Sequence, residues 1–178
     1  MRLKLIAALW GFAEATLFFI VPDVLTSAVA LRDLRRATVL CIWVLPGALL
    51  GGLLMYFWGA ADPAAATSVV GRVPAISSML LEEVSRSLSE QGLIAVLLGP
   101  LWGIPYKTFA INASAAGISL LAFMLISIPA RLIRFFLVTA TVHLISRFLA
   151  RYWPISRIYA VFGATWMAFY VVYFTLYG

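Results

Sequence analysis

Charged residues are scarce in this chain of 178 residues: only 11% are Asp, Glu, Lys or Arg, whereas 64% are hydrophobic. A soluble domain has about 25% charged and about 45–50% apolar residues, so this composition is that of an integral membrane protein. The alternating polar pattern of a membrane barrel is missing, and the apolar runs are long enough for helices that cross a bilayer. We therefore expect an all-α integral membrane protein.

Cysteine and histidine are almost absent as well. The single Cys41 excludes an intrachain disulfide and a cysteine-based metal site, and the single His143 argues against zinc or haem ligation. A serine hydrolase is poorly supported, because no G-x-S-x-G motif occurs and His143 has no carboxylate near it in the sequence. We therefore expect no enzyme activity, cofactor or metal. The net charge of +6 reflects membrane topology and does not indicate a nucleic-acid partner.

Apolar stretches occupy most of the chain. They are residues 5–31, 37–61, 92–105, 109–128, 132–145 and 158–177. The only extended polar region is 62–91, where we predict an external loop and then an amphipathic helix resting in the interface; a solvated linker helix is the alternative. The apolar face of this helix consists of Ile76, Leu80, Leu81, Val84 and Leu88. No small-residue cleavage site follows the basic start of the chain, so we expect no cleaved signal peptide.

Basic residues flank the first apolar run on both sides, in residues 2–4 and 32–36. The positive-inside rule assigns both groups to the cytoplasm, but a single crossing cannot begin and end on one side. We therefore predict a re-entrant hairpin with its tip at Pro22 and Asp23. Proline interrupts a helix, and such a break is tolerated at membrane depth only inside protein or beside a water-filled cavity. A straight but kinked helix is the alternative.

The positive-inside rule also predicts the topology of the rest of the chain. Residues 37–61 lead outward, the acidic region 62–91 lies outside, and the arginines within 147–157 mark the cytoplasm again. We predict a second re-entrant hairpin, entered from outside, with its tip at Pro105. One crossing follows, and a final C-terminal transmembrane helix within 151–178 ends with Gly178 outside. This topology predicts a multi-pass protein of the cell inner membrane with a cytoplasmic N-terminus.

An internal repeat is indicated by the prolines. Pro22 and Pro46 have the same spacing as Pro105 and Pro129, and their flanking residues are similar. The chain is thus predicted to be a single membrane domain, in which residues 1–61 and 92–150 each form a re-entrant hairpin plus a transmembrane helix. The halves enter from opposite faces, so the repeat is inverted. Inverted repeats with broken helices are a transporter architecture.

Five ionisable side chains lie inside the apolar stretches: Glu14, Asp23, Lys107, Arg131 and Arg134. Each costs at least about 2.5–3.5 kcal/mol at the bilayer centre on insertion scales, so each is a functional candidate. Arginine offers a planar fork to phosphate oxygens and lysine a point charge, so we predict that the three bases bind an anionic headgroup. Burial favours the neutral form of a carboxyl group, which would let the two acids carry protons. The alternative to these functional roles is that the charges form purely structural ion pairs or that the arginines snorkel to an interface. We also predict that acids and bases approach each other.

Several motifs follow one another in a characteristic order. They are Glu14 before an aromatic stretch, P-D-x-L at 22–25, G-A-x-x-G-x-x-x-x-Y-x-x-G at 47–59, P-x-K at 105–107 and R-x-x-R-F-F at 131–136. Together they resemble the DedA family, also called the VTT-domain or SNARE-associated Golgi protein family. The P-x-K tip resembles its YqaA-like branch.

This resemblance implies two re-entrant hairpins in an inverted arrangement and the movement of lipids between leaflets. Glu14 and Asp23 match the family's essential acids, and Lys107 takes the place of a tip arginine. We therefore expect a flippase or scramblase for an anionic lipid, such as undecaprenyl phosphate or a phospholipid, linked to the proton gradient. Its expected partners are membrane lipids with phosphate headgroups and protons, and a homo-oligomer is left open. The alternatives are a small ion/proton antiporter and a non-catalytic membrane scaffold.

Overall fold

The structure is a computed structural model that describes residues 2–177, with side chains up to residue 175. The described residues form α-helices and one 3₁₀ helix and contain no β-strand, so the all-α prediction is confirmed. The α-helices are α1 (Arg2–Ala15), α2 (Asp23–Ala30), α3 (Leu34–Ala61), α4 (Pro63–Val70), α5 (Ser78–Gln91), α6 (Leu93–Leu98), α7 (Tyr106–Ala113), α8 (Leu120–Leu149) and α9 (Ile155–Tyr177), and the 3₁₀ helix is Gly99–Trp102.

Three of these helices, α3, α8 and α9, are long and apolar enough to cross a membrane. The 28 residues of α3 extend over roughly 42 Å at 1.5 Å per residue, which exceeds a hydrocarbon layer of about 30 Å. The chain therefore has the helices of a membrane protein. The inner-membrane location and the cytoplasmic N-terminus stay predictions, and the predicted external end, Gly178, lies outside the described residues.

The long helices α3 and α8 form an antiparallel pair. Near the start of α3, Cys41 contacts Thr139 in the C-terminal half of α8 at 3.3 Å. Near the end of α3, Tyr56 packs on Phe123 in the first turn of α8, with ring centroids 5.7 Å apart. This pair forms the frame on which the short helices pack.

The first two short helices run in opposite directions. Ala8 lies against Gly47 and Ala15 against Gly51, so α1 is parallel to α3, and a Cβ atom at either glycine would collide with α1. By contrast, α2 is parallel to α8. The Thr139 hydroxyl donates to Thr26, and the Ser146 hydroxyl donates to the carbonyl of Leu31. Since α8 is antiparallel to α3, α2 is antiparallel to α1, and the chain reverses between them.

This reversal takes place in residues 16–22, which are not helical. Pro22, which lacks a backbone donor, stands at the N-cap of α2, and Asp23 is the first residue of that helix. The Trp10 indole donates to the carbonyl of Ile20 at 2.9 Å and fixes the segment against α1. The break predicted at Pro22 and Asp23 is therefore present, but most of it precedes the proline.

A second break precedes α7. After α6, the chain passes through the 3₁₀ helix and the left-handed Gly103, whose φ is 87°, and Pro105 forms the N-cap of α7. Tyr106 lies against Gly52 and Ile111 against Gly59, so α7 is parallel to α3 and antiparallel to α8. Each break is thus followed by a short helix that is antiparallel to the next long helix: α2 is antiparallel to α3, and α7 is antiparallel to α8.

The second half also differs in one respect from the apolar stretches in the sequence. The expected stretches 109–128 and 132–145 do not correspond to separate helices, because α8 continues through Pro129. The chain instead turns in residues 114–119, where Gly117 has a φ of 74°. Arg131 and Arg134 therefore lie inside one continuous helix.

The polar region 62–91 packs on the other helices. Asp62 and Ser77 cap α4 and α5 by accepting hydrogen bonds from Ala65 and Leu80. The predicted apolar face of α5 is turned inward: its buried members Leu81, Val84 and Leu88, together with Ile76, belong to a core cluster that also contains residues of α3, α6 and α7. The first part of the region, which was predicted to be a loop, instead contains the helix α4. The predicted amphipathic helix is present as α5. Its position outside the membrane stays a prediction.

Candidate functional site

Glu14, in the last turn of α1, forms a bidentate ion pair with Arg131 of α8. The two terminal nitrogens of the guanidinium donate to the two carboxylate oxygens: Nη1 to Oε1 at 3.4 Å, and Nη2 to Oε2. Glu14 is 3% exposed and Arg131 is fully buried. A charge buried so deeply is stable only when it is paired, so each of these residues depends on the other.

Aromatic rings hold Arg131 in this position. The guanidinium carbon lies 4.9 Å from the ring centre of Tyr106 and 4.8 Å from that of Phe135, which are cation–π distances. The Tyr106 hydroxyl donates to Ser127 at 2.8 Å, and Ser127 donates in turn to the carbonyl of Phe123 at 2.7 Å. Arg131 is therefore clamped from several sides.

Asp23 and Arg134 form a second ion pair, one helical turn along α8. Nη2 of Arg134 lies 2.8 Å from Oδ2 of Asp23. Asp23 is 1% exposed, whereas the side chain of Arg134 is 17% exposed. The other carboxylate oxygen of Asp23, Oδ1, is buried and has no hydrogen-bond partner among the described residues. Arg134 thus reaches a more open environment than Arg131 does.

Lys107 lies in the first turn of α7, directly after the second break, and its ammonium group donates to the carbonyl of Phe18 in the first break at 2.6 Å. This residue is only 2% exposed. Among the described ion pairs, none involves Lys107. The predicted approach of acids to bases is therefore confirmed for Glu14 and Asp23, whereas the third base contacts a carbonyl group.

A cavity of about 410 Å³ lies between α8, α9 and the two breaks. Three charged residues line it: Glu14, Lys107 and Arg134. The remainder of its wall is mainly apolar and aromatic, and most of it comes from α8 and α9. Asp23 and Arg131 are not in the wall, so they support the residues that are.

The cavity extends along the bundle. It is lined by Val73 and Ile76, between α4 and α5, and it follows α8 from Arg134 to Leu149 at the end of that helix. At 1.5 Å per residue, these two positions of α8 are about 22 Å apart. A mainly apolar groove with charged groups in its wall is suited to a long amphiphile.

Helix α9 forms one side of this groove but is attached at few points. The Tyr170 hydroxyl accepts a hydrogen bond from the backbone amide of Val21 at 3.0 Å, and Phe174 packs edge-on against Phe19 with ring centroids 5.1 Å apart. Only 6% of the apolar span of α9 is buried. These contacts with the first break, together with the contacts of Tyr159 with Ala28 and Arg32, hold this helix over the cavity.

The sequence did not reveal Ser127 or Tyr170 as parts of the site. Both are uncharged residues in long apolar helices, and nothing in their spacing distinguishes them from neighbours that face lipid. The only available signal was the aromatic-rich character of residues 158–177, which does not select one tyrosine. The predicted tip residues Pro22 and Pro105 lie at the two breaks, and Pro105 lines the cavity.

Comparisons with protein-family models, with curated proteins and with solved structures found no match to this chain. The resemblance to the DedA family therefore rests on the order of the sequence motifs. The roles predicted for the five charged residues likewise rest on their chemistry and on the geometry described above.

Proposed function

We propose that this protein moves an anionic amphiphile between the two leaflets of a membrane, along the groove between α8 and α9. Undecaprenyl phosphate and phospholipids are the candidates that the DedA resemblance suggests. The observation that carries the proposal is Lys107: a buried cation without a carboxylate partner in the part of the chain described, in the wall of a mainly apolar cavity.

An anionic headgroup would complete the surroundings of Lys107. An ammonium group has three donors, and the carbonyl of Phe18 uses one of them. A buried charge without an opposite charge is costly, and a phosphate group would reduce this cost. Arg134 also lines the cavity. Since Asp23 engages its Nη2 atom, its other nitrogens would donate to the same headgroup while the pair remains. In this proposal Arg131 supports Glu14 and does not itself touch the headgroup.

The apolar part of the ligand would occupy the aromatic and aliphatic wall. Because α9 has few contacts with the other helices, its movement away from α8 would open the groove to the bilayer and admit a tail from the side. The proposal includes two re-entrant hairpins with the breaks as their tips. It is supported by the parallel direction of α1 and α3, and by the Lys107 contact that joins the two breaks.

A link to the proton gradient is part of the proposal. Glu14 lies in the cavity wall and holds Arg131 through both carboxylate oxygens. Protonation would remove the negative charge of Glu14 and weaken this pair, which would change the charge that a headgroup meets. Glu14 is therefore the residue through which proton uptake and ligand binding would influence each other.

The test is a flip assay with purified protein in lipid vesicles that contain a fluorescent anionic lipid. We expect lipid movement above that of protein-free vesicles, and a roughly tenfold or greater loss in Lys107→Gln, since a loss of 1.4 kcal/mol is already tenfold. Lys4, the only other lysine, is exposed and far along α1 from the cavity. Lys4→Gln is thus the matched control and should behave like the wild type. Vesicles that move ions but no lipid would instead favour the antiporter, and inactive vesicles would favour the scaffold.

A further inference from the structure

The buried charges of the site do not balance. We call Glu14, Asp23, Lys107, Arg131 and Arg134 the charged cluster. The two arginines are each paired with one acid, so these four charges cancel. In the described part of the chain, Lys107 has no ion pair and donates a hydrogen bond to the Phe18 carbonyl, which is dipolar but uncharged. The cluster therefore has a net charge of one positive unit when its acids are ionised and its bases protonated.

The net charge determines which headgroup the cluster can neutralise. A ligand with one negative charge brings the sum to zero. A zwitterionic ligand leaves the positive unit uncompensated, and a dianion replaces it with a negative unit. Uncompensated charge in an apolar environment is strongly unfavourable, so the three classes of ligand should differ in affinity.

The arrangement of the donors supports the same conclusion. Arg131 gives both terminal nitrogens to Glu14 and is not in the cavity wall, whereas Arg134 gives one terminal nitrogen to Asp23. Lys107, which has no carboxylate partner among the described ion pairs, is therefore the main cation left for a ligand, with the remaining donors of Arg134 beside it. Glu14 lies in the same cavity wall as Lys107. Its carboxylate would repel a second negative charge on a headgroup bound there.

We propose that the cavity selects amphiphiles whose headgroup carries a single negative charge, as a phosphodiester does, and accepts a phosphomonoester only together with a proton. This inference rests on the proposed function. A phosphomonoester carries about −1.5 to −2 charges at pH 7, with its second proton lost near pH 6. An extra proton, on the phosphate or on Glu14, would restore the balance.

The experiment compares three fluorescent lipids in otherwise identical phosphatidylcholine vesicles: phosphatidylglycerol, a phosphodiester with one charge; phosphatidic acid, a phosphomonoester; and phosphatidylcholine, a zwitterion. At about pH 8 we expect phosphatidylglycerol to move roughly tenfold faster than either of the others. Lowering the pH to about 6 should accelerate phosphatidic acid and leave phosphatidylglycerol nearly unchanged.

Variants that change the cluster charge by one unit make the test specific. Lys107→Gln makes the cluster neutral and should reduce the advantage of phosphatidylglycerol over phosphatidylcholine. Glu14→Gln makes it doubly positive and should favour phosphatidic acid at about pH 8. Lys4→Gln should leave the order unchanged, and thermal melts would identify any variant that fails to fold. If either charge variant folds poorly, the pH series on the wild-type protein decides alone.

Three outcomes would overturn the inference. Equal rates for the three lipids in the wild-type protein would show translocation without charge selection. The proposed function would then be supported, and the inference about charge would be wrong. If the order of rates were the same in Lys107→Gln, Glu14→Gln and the wild type, the charge of the cluster would not determine which lipid is moved. If no lipid moved at all, the proposed function itself would fall, and the inference with it.

Discussion

The ammonium group of Lys107 donates a hydrogen bond to the backbone carbonyl of Phe18 and thereby joins the break before α7 to the break before α2. A backbone carbonyl in a helix break lacks its usual helical donor, and a buried ammonium needs acceptors. Each group meets the other's requirement. The contact brings together two segments that are 89 residues apart in the chain, and Glu14 and Arg134 line the same cavity.

The first prediction concerns membrane topology. Because α1 is parallel to α3 and the chain reverses between them, residues near the starts of α1 and α3 should be on the same membrane face. Leu3 and Arg35 are suitable positions, since both are exposed and neither contributes a side-chain hydrogen bond or ion pair to the described contacts. In a Cys41→Ala background, Leu3→Cys and Arg35→Cys should react with an impermeant maleimide from the same side.

Labelling from opposite sides would end the re-entrant proposal for the first hairpin. Cys41 must be removed because it is the only native thiol. It is fully buried against Thr139, so alanine is a suitable replacement of smaller volume. The Cys41→Ala protein without an added cysteine should remain unlabelled and provides the blank.

The second prediction concerns the attachment of α9. Tyr170→Phe removes the acceptor for the Val21 amide but keeps the aromatic ring. The loss of one hydrogen bond costs about 0.5–1.5 kcal/mol, so α9 should detach from the first break roughly 2- to 12-fold more often. Hydrogen exchange measured by mass spectrometry should be faster in residues 16–22, and lipid movement should be faster if opening of α9 limits the rate.

Tyr152→Phe is the matched control for this prediction. Tyr152 lies in the short link between α8 and α9 and is 70% exposed, so removal of its hydroxyl should change neither exchange nor transport. Unchanged exchange of residues 16–22 in Tyr170→Phe would show that the hydroxyl does not hold the helix. The wall of the cavity formed by α9 would then be fixed by other contacts, such as the packing of Phe174 on Phe19 and the hydrogen bond from Tyr159 to the carbonyl of Ala28.

The sequence identified the charged residues of the cluster but did not predict which of them form ion pairs with each other. Acids and bases inside apolar stretches are conspicuous because their insertion is unfavourable, and all five came to lie in one cluster. Their partners were not predictable: Glu14 and Arg131 are 117 residues apart in the chain, and Asp23 and Arg134 are 111 apart. Such pairs depend on the directions of α1, α2 and α8, which no local pattern specifies.

The helix breaks were likewise predictable in part: the local sequence indicated that they exist, but not where they begin. Proline and its missing donor predicted interruptions near Pro22 and Pro105, and the structure has both. However, the first break begins at residue 16, where the sequence TLFFIV contains no helix breaker. The helix ends there although its residues are apolar, and the break is stabilised by distant groups: the Trp10 indole, the Lys107 ammonium and the Tyr170 hydroxyl. Contacts of this kind arise from the tertiary structure and have no signature in the local sequence.

The last prediction separates the roles of the two arginines. Arg131 is fully buried in a bidentate pair, and removal of one partner from a buried pair costs about 3–5 kcal/mol. Arg131→Ala should therefore lower the melting temperature in detergent and abolish transport as a consequence of lost structure. Arg134 is partly exposed and lines the cavity. Arg134→Ala should lose transport with a clearly smaller loss of stability, because removal of a side chain from the cavity wall would open Asp23 to the cavity, where the acid can take up water or a proton.

Glu14→Gln provides the third comparison, because it resembles the protonated acid and can still accept a hydrogen bond from Arg131. If Glu14 carries the proton, transport should persist without its response to a pH gradient, and the melting temperature should fall less than in Arg131→Ala. A scaffold held together by structural ion pairs predicts something else: all three variants would lose stability in proportion to any lost activity. Thermal melts and flip rates measured on the same preparations therefore distinguish a transporter from a scaffold. A proportional loss across Arg131→Ala, Arg134→Ala and Glu14→Gln would refute the assignment of transport roles to these residues.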